Sequence, residues 1–118
     1  MLPLATYGTL LRTFGLHERL GVADALVFEG PCIIPGTLYD LGRYPGARPA
    51  PSGDTAHIQG ECYRLRDHAT LRRLDAYEGY DPGDEASSLF VRRRVTLMEP
   101  TGHDAWVYWY NGTPPGPR

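Results

Sequence analysis

Residues 67–79 read DHATLRRLDAYEG, and this stretch carries a helix together with both of its ends. Asp67 is a good N-cap, because its carboxylate can accept from the free backbone N–H groups of the first turn. Gly79 suits the position after the last turn, where the chain turns left-handed. Between them Leu71 and Leu74 mark a buried face, and Arg72 and Arg73 point away from it. The spacing predicts a helix over Asp67–Glu78.

Outward from this helix the chain is extended on both sides. Leu2–Tyr7 reads as a strand ending at Gly8. In Leu10–Leu20, Leu11, Phe14 and Leu16 share one side, Gly15 interrupts and Gly21 closes, which predicts a short helix or an irregular turn. Ala25–Glu29 and Cys32–Tyr39 look extended, and Gly30-Pro31 and Pro35-Gly36 predict a bend or bulge. Residues 44–54, YPGARPAPSGD, have the composition of a surface loop. Ala56–Leu65 is a further strand, and Phe90–Met98 with Ala105–Tyr110 forms a hairpin around a Pro-Thr-Gly turn. One clear helix among strands, with no regular βαβ alternation, predicts an α+β fold: a small mixed, barrel-like sheet with one or two short helices. Residues 1–111 are expected to form a single domain and residues 112–118 a flexible tail.

The 118 residues allow one domain at roughly 100–200 residues each. A formal net charge of −2 argues against nucleic acid as a partner, since phosphate binding needs a basic footprint. All twelve basic residues are arginine. With no lysine, Schiff-base chemistry, a pyridoxal-phosphate lysine and a phosphate-loop lysine are excluded. The three serines, Ser52, Ser87 and Ser88, lie in no G-x-S-x-G frame. Cys32 and Cys62 form no Cys-x-x-Cys pair and are expected to be reduced thiols. His17, His57, His68 and His103 have no metal-ligand spacing. No run of 18 apolar residues occurs, and MLPLATYG is too short for a signal peptide, so the expected setting is cytoplasmic, away from the membrane. Chemistry is left to carboxylates, tyrosines, arginines and backbone groups.

Two positions stand out. Seven residues at about 100° each bring Glu78 to within about 20° of Leu71, on the core face of the last helical turn. Burial disfavours its ionised form, and so does the partial negative charge of a helix C-terminus. A carboxyl tuned upward suits general acid/base work near neutral pH. The same position also admits a structural ion pair with an arginine, or escape to solvent at the helix end. Asp75 lies about 40° to the other side of Leu71, less deep on the wheel, and is the rival carboxylate. The second position is Tyr7-Gly8-Thr9-Leu10. A glycine where a strand turns lets backbone N–H groups approach an anion or developing oxyanion, though most such turns are only turns.

Together these features resemble a known family. YGTL at 7–10, PGTLYDLGRYPG at 35–46, GECYRL at 60–65, LRRLDAYEGYDP at 71–82, an arginine-rich strand and WVYWYN at 106–111 are similar to the gamma-glutamylcyclotransferase-like family. That family includes gamma-glutamylamine cyclotransferases and plant avirulence-induced proteins, and the resemblance runs from Leu2 to Asn111. It implies that Tyr7, Gly8, Thr9 and Leu10 hold the substrate, chiefly through the backbone, and that Glu78 is the catalytic acid/base. It further implies that Tyr39 and Tyr44 line the same cavity. The implied activity is an acyltransferase/lyase reaction on a small gamma-glutamyl amide. The substrate's α-amine attacks its own γ-carbonyl and releases 5-oxoproline and an amine, with no metal or organic cofactor. The alternatives are a non-catalytic domain binding a small metabolite or peptide end, and hydrolysis of the amide to free glutamate.

Overall fold

A computed structural model of the chain describes residues 1–7, 25–42, 45–51 and 53–113. The strands are β1 (Leu4–Thr6), β2 (Leu26–Asp40), β3 (Pro45–Pro49), β4 (His57–Leu65), β5 (Phe90–Thr96) and β6 (Asp104–Tyr110). Helix α1 (His68–Tyr77) follows β4, and a single 3-10 turn covers Glu85–Ser87. The six strands form one mixed sheet in the order β3-β2-β4-β1-β6-β5. β1 and β6 run parallel, with Leu4 opposite Trp106; the other neighbours are antiparallel. The expected α+β class and barrel-like sheet are what the chain adopts.

The sheet curls because its longest strand changes partner. Residues Leu26–Pro35 of β2 pair with β4, and Gly36–Asp40 pair with β3. Pro35 has no N–H to give the ladder, so it suits this corner. At Gly36 a Cβ would stand 2.9 Å from the Arg48 carbonyl and 3.0 Å from the Trp109 ring, so only glycine admits the approach. The predicted irregularity at Gly30 is a register shift between Phe28 and Gly30, with Gly30 at φ 139°. The curl brings β3 back over β6. There Arg48 Nη1 donates to the carbonyls of Tyr110 (3.1 Å) and Gly112 (3.5 Å).

β3 corrects the reading of residues 44–54 as loop. Its Pro and Gly content masks a strand, and two prolines are tolerated because β3 is an edge, with one side free of ladder bonds. The hairpin of β5 and β6 and the strand β4 fall where expected. The stretch Leu10–Leu20, Tyr44, and positions 114–118 of the expected tail lie outside the described residues.

Side-chain alternation divides the core between the two faces of the sheet. Leu4, Tyr63, Phe90 and Tyr108 turn toward α1 and pack with Leu71 and Leu74. Their neighbours Ala5, Cys62, Val91 and Val107 turn into the curl with Ile34, Ala47 and Trp109. Cys32 and Cys62 are buried there, and neither is in a disulfide. Among the described residues, no helix is long and apolar enough to cross a membrane.

Candidate active site

α1 forms as its sequence dictates. Asp67 Oδ1 accepts from the Thr70 N–H at 2.8 Å and from the Thr70 hydroxyl at 2.7 Å. Leu71 and Leu74 are buried, and Arg72 and Arg73 are exposed. At the other end Gly79 takes φ 68°, and its N–H donates to the Ala76 carbonyl at 3.2 Å. The Tyr80 N–H donates to the Asp75 carbonyl at 2.8 Å. This paired closure satisfies carbonyls of the last turn and fixes Glu78 in helical geometry at φ −79°, ψ −2°. The chain is then pinned by the Leu89 N–H, which donates to the Gly79 carbonyl at 3.0 Å.

Glu78 is half-buried. Among the described residues, no arginine or histidine pairs with it. Burial pushes its carboxyl up to about 7 from an ordinary 4.5. Two tyrosines lie within its electrostatic reach, Tyr7 at the end of β1 and Tyr108 on β6. Burial raises both phenols, and the charge of Glu78 adds to the rise. The Tyr7 hydroxyl donates to the Tyr108 backbone carbonyl and accepts from the Ala47 N–H at 3.1 Å. Tyr7 therefore ties β1, β3 and β6 together at the point where the chain enters Gly8-Thr9-Leu10.

Asp75 is more deeply buried than Glu78, at 5% exposure, which reverses the order the helical wheel gives them. The wheel cannot see the cation that follows Asp75 inward. Arg92 Nε donates to Asp75 Oδ1 at 2.8 Å and Nη2 to Oδ2 at 3.1 Å, a fork-on-fork pair. The Tyr108 hydroxyl donates to Oδ1 at 2.6 Å. The Arg92 guanidinium sits 4.4 Å from the Trp106 ring centroid and 5.6 Å from that of Tyr80. Arg92 and Tyr108 are directly opposed in the β5–β6 register, so one hairpin presents both to the helix.

Of the residues expected at the site, Tyr7 and Glu78 are both described and lie within electrostatic reach of each other. Gly8, Thr9, Leu10 and Tyr44 lie outside the described residues. Tyr39 is half-buried on β2 opposite Gly46, whereas its neighbour Leu38 faces Ala47; the pleat turns Tyr39 to the other side from Ala47. Tyr108, Arg92 and the Ala47 N–H were not singled out by sequence. One signal was present: Arg92 shares strand parity with Phe90, which faces the core under α1.

A family model described as gamma-glutamyl cyclotransferase, AIG2-like, matches residues 4–118. The chain belongs to that family. The gamma-glutamylcyclotransferase family protein YtfP of Escherichia coli K12 is 42% identical over 73 residues, which is 62% of this chain and 52% of that protein. A homologous protein of Citrobacter rodentium matches to the same extent. The match thus spans about half the length of these curated relatives. Among solved structures, an AIG2-like protein from Mus musculus has a TM-score of 0.67 at 21% identity, covering 97% of this chain and 80% of that one. The uncharacterized protein PH0828 from Pyrococcus horikoshii has a TM-score of 0.68 at 20% identity, covering 98% and 83%. At these identities the solved structures establish the shared gamma-glutamylcyclotransferase-like fold.

Proposed function

We propose that the chain is a gamma-glutamyl amide cyclotransferase acting on a small soluble substrate in the cytoplasm, with Glu78 as its general acid/base. The observation that carries this reading is the Glu78 carboxyl: half-buried, without an ion-pair partner among the described residues, raised to about 7, and within electrostatic reach of Tyr7. Such a group takes and returns a proton near neutral pH with little driving force lost in either direction.

The chemistry asks little else of the protein. Glu78 accepts a proton from the substrate's α-ammonium. The freed amine attacks the γ-carbonyl carbon, a C–N bond forms, and the carbonyl oxygen gains negative charge. When that intermediate collapses, Glu78 delivers the proton to the leaving nitrogen as its bond breaks, and the ring nitrogen sheds its second proton, which departs on the released amine as an ammonium. The products are 5-oxoproline and a free amine, and Glu78 ends ionised as it began. The nucleophile belongs to the substrate, so the acyl transfer is intramolecular. Holding the chain in near-attack geometry supplies on the order of 7–11 kcal/mol in favourable cases.

In this reading the backbone of Gly8, Thr9 and Leu10, entered through the anchored Tyr7, holds the substrate carboxylate or the oxyanion. Tyr44 and Tyr39 complete the cavity by resemblance. Tyr39 has the least support, since its register turns it away from Ala47.

Incubating the protein with a gamma-glutamyl amine and identifying the product tests the proposal. 5-Oxoproline in equal amount to released amine is expected. Free glutamate would mean hydrolysis by an added water, and no product with saturable binding would mean a ligand-binding domain.

A further inference from the structure

Each tyrosine hydroxyl near Glu78 has one proton to give. Tyr7 gives its proton to the Tyr108 carbonyl, and Tyr108 gives its own to Asp75 Oδ1. Asp75 is fixed for that purpose, because Arg92 grips both of its oxygens from the side of Trp106. Among the described residues, the charged and titratable groups around Glu78 are Asp75 on its own helix, with Tyr7 from β1 and Tyr108 from β6 in its electrostatic reach and Arg92 of β5 behind Asp75. Tyr80, next after the helix end, commits its hydroxyl to Glu85 at 2.7 Å.

Asp75 and Glu78 are three residues apart on one helix face, where Cβ atoms stand about 5–6 Å apart. Two carboxylates so placed compete for one hydroxyl, and the Tyr108 phenol lies in the electrostatic field of both. A carboxylate that received that hydroxyl proton would be stabilised in its ionised form and would lose its hold on a proton of its own. We propose that Asp75 is a positioning residue for Glu78: by holding the only hydroxyl proton of Tyr108, it keeps Tyr108 from hydrogen-bonding the Glu78 carboxylate and leaves that carboxylate free to exchange protons with substrate. The inference rests on Glu78 being the proton carrier, but it concerns where a hydroxyl proton lies and is readable without turnover.

The readout is the titration of the Glu78 side-chain carboxyl carbon by NMR in the intact chain. Asp75→Leu with Arg92→Met removes both charges together, leaves the net charge of the corner unchanged, and is the kind of pair replacement folds tolerate. With Asp75 gone, Tyr108 turns to Glu78, and the midpoint should fall by about one unit or more, a tenfold or greater loss of proton affinity. Adding Tyr108→Phe should return the midpoint to the wild-type value. A midpoint unmoved in the folded double variant overturns the proposal, and so does one that stays low after Tyr108→Phe. If the double variant does not fold, the wild-type protein decides. The Tyr108 hydroxyl proton should keep its coupling to the Asp75 carboxyl while Glu78 titrates; its transfer to Glu78 overturns the proposal. Turnover separates the two readings. The expected midpoints without any product would refute the function and keep the proton placement. Product formation abolished by Glu78→Gln, with an unmoved midpoint, would refute the placement alone.

Discussion

Asp75 and Glu78 are carboxylic acids on one face of one helix, one turn apart. The deeper of the two is satisfied: it meets a forked arginine and a phenol, and the arginine is itself stacked on an indole. The shallower is raised by burial and meets no counter-ion among the described residues. Depth alone therefore does not mark a reactive carboxyl. Burial with partners makes a structural anchor, and burial without them makes a group whose proton is easily moved. The contrast arises from strand register. The β5–β6 hairpin delivers Arg92 and Tyr108 as a cross-strand pair at the level of Asp75, and the chain turns away at Gly79 directly after Glu78.

The contrast is sharpest in activity. Glu78→Gln keeps the shape and removes the proton carrier, so steady-state formation of 5-oxoproline should fall by roughly 10²–10⁴-fold. A loss of less than tenfold would take Glu78 out of the reaction.

In stability the order reverses. Asp75→Ala strands the half-buried Arg92 guanidinium and frees the buried Tyr108 hydroxyl, and should cost about 3 kcal/mol in urea unfolding at neutral pH. A cost under about 1 kcal/mol would mean that Arg92 finds water, and the comparison would fail on that side.

A smaller effect comes from pH. The folded value of Glu78, about 7, lies above its ordinary 4.5, so between these values the folded chain binds more protons than the unfolded one. Its contribution therefore turns unfavourable as pH rises from about 4.5 and levels off above about 7, at on the order of 3 kcal/mol. Glu78→Gln lacks this cost. Its unfolding free energy relative to wild type should climb across that window, and its melting temperature at neutral pH should be equal or higher. A flat difference, or a lower melting temperature, would indicate a structural ion pair.

Tyr7→Phe should have the smallest effect. It leaves the Ala47 N–H without its acceptor and should cost about 1–3 kcal/mol by chemical denaturation. The titration of Glu78 should stay in place, because the Tyr7 proton is already committed to the Tyr108 carbonyl. A shifted titration would show that Tyr7 shares its proton with Glu78.

What the sequence revealed follows the range of the forces involved. α1 was legible at both ends because Asp67 and Gly79 act within one turn of themselves. The placement of Glu78 on the core side followed from 3.6-residue periodicity alone. β3 was hidden, because Pro45–Pro49 has loop composition and becomes a strand only when β2 turns its corner at Pro35-Gly36 to meet it. Asp75 was misjudged because its partners stand 17 and 33 residues away and reach it only through the hairpin register. Strand parity put Arg92 on the same face as Phe90, and that clue was local; the bond to Asp75 was not.

The central claim is that the proton passes through a carboxyl held near neutrality. The most direct test is the pH dependence of kcat/KM for a gamma-glutamyl amine, which reports the essential groups of the free enzyme. The rate should rise with pH through a midpoint near 7, where Glu78 ionises, and this limb should be absent from the residual activity of Glu78→Gln. A midpoint near the ordinary 4.5, or the same limb surviving in Glu78→Gln, would contradict it.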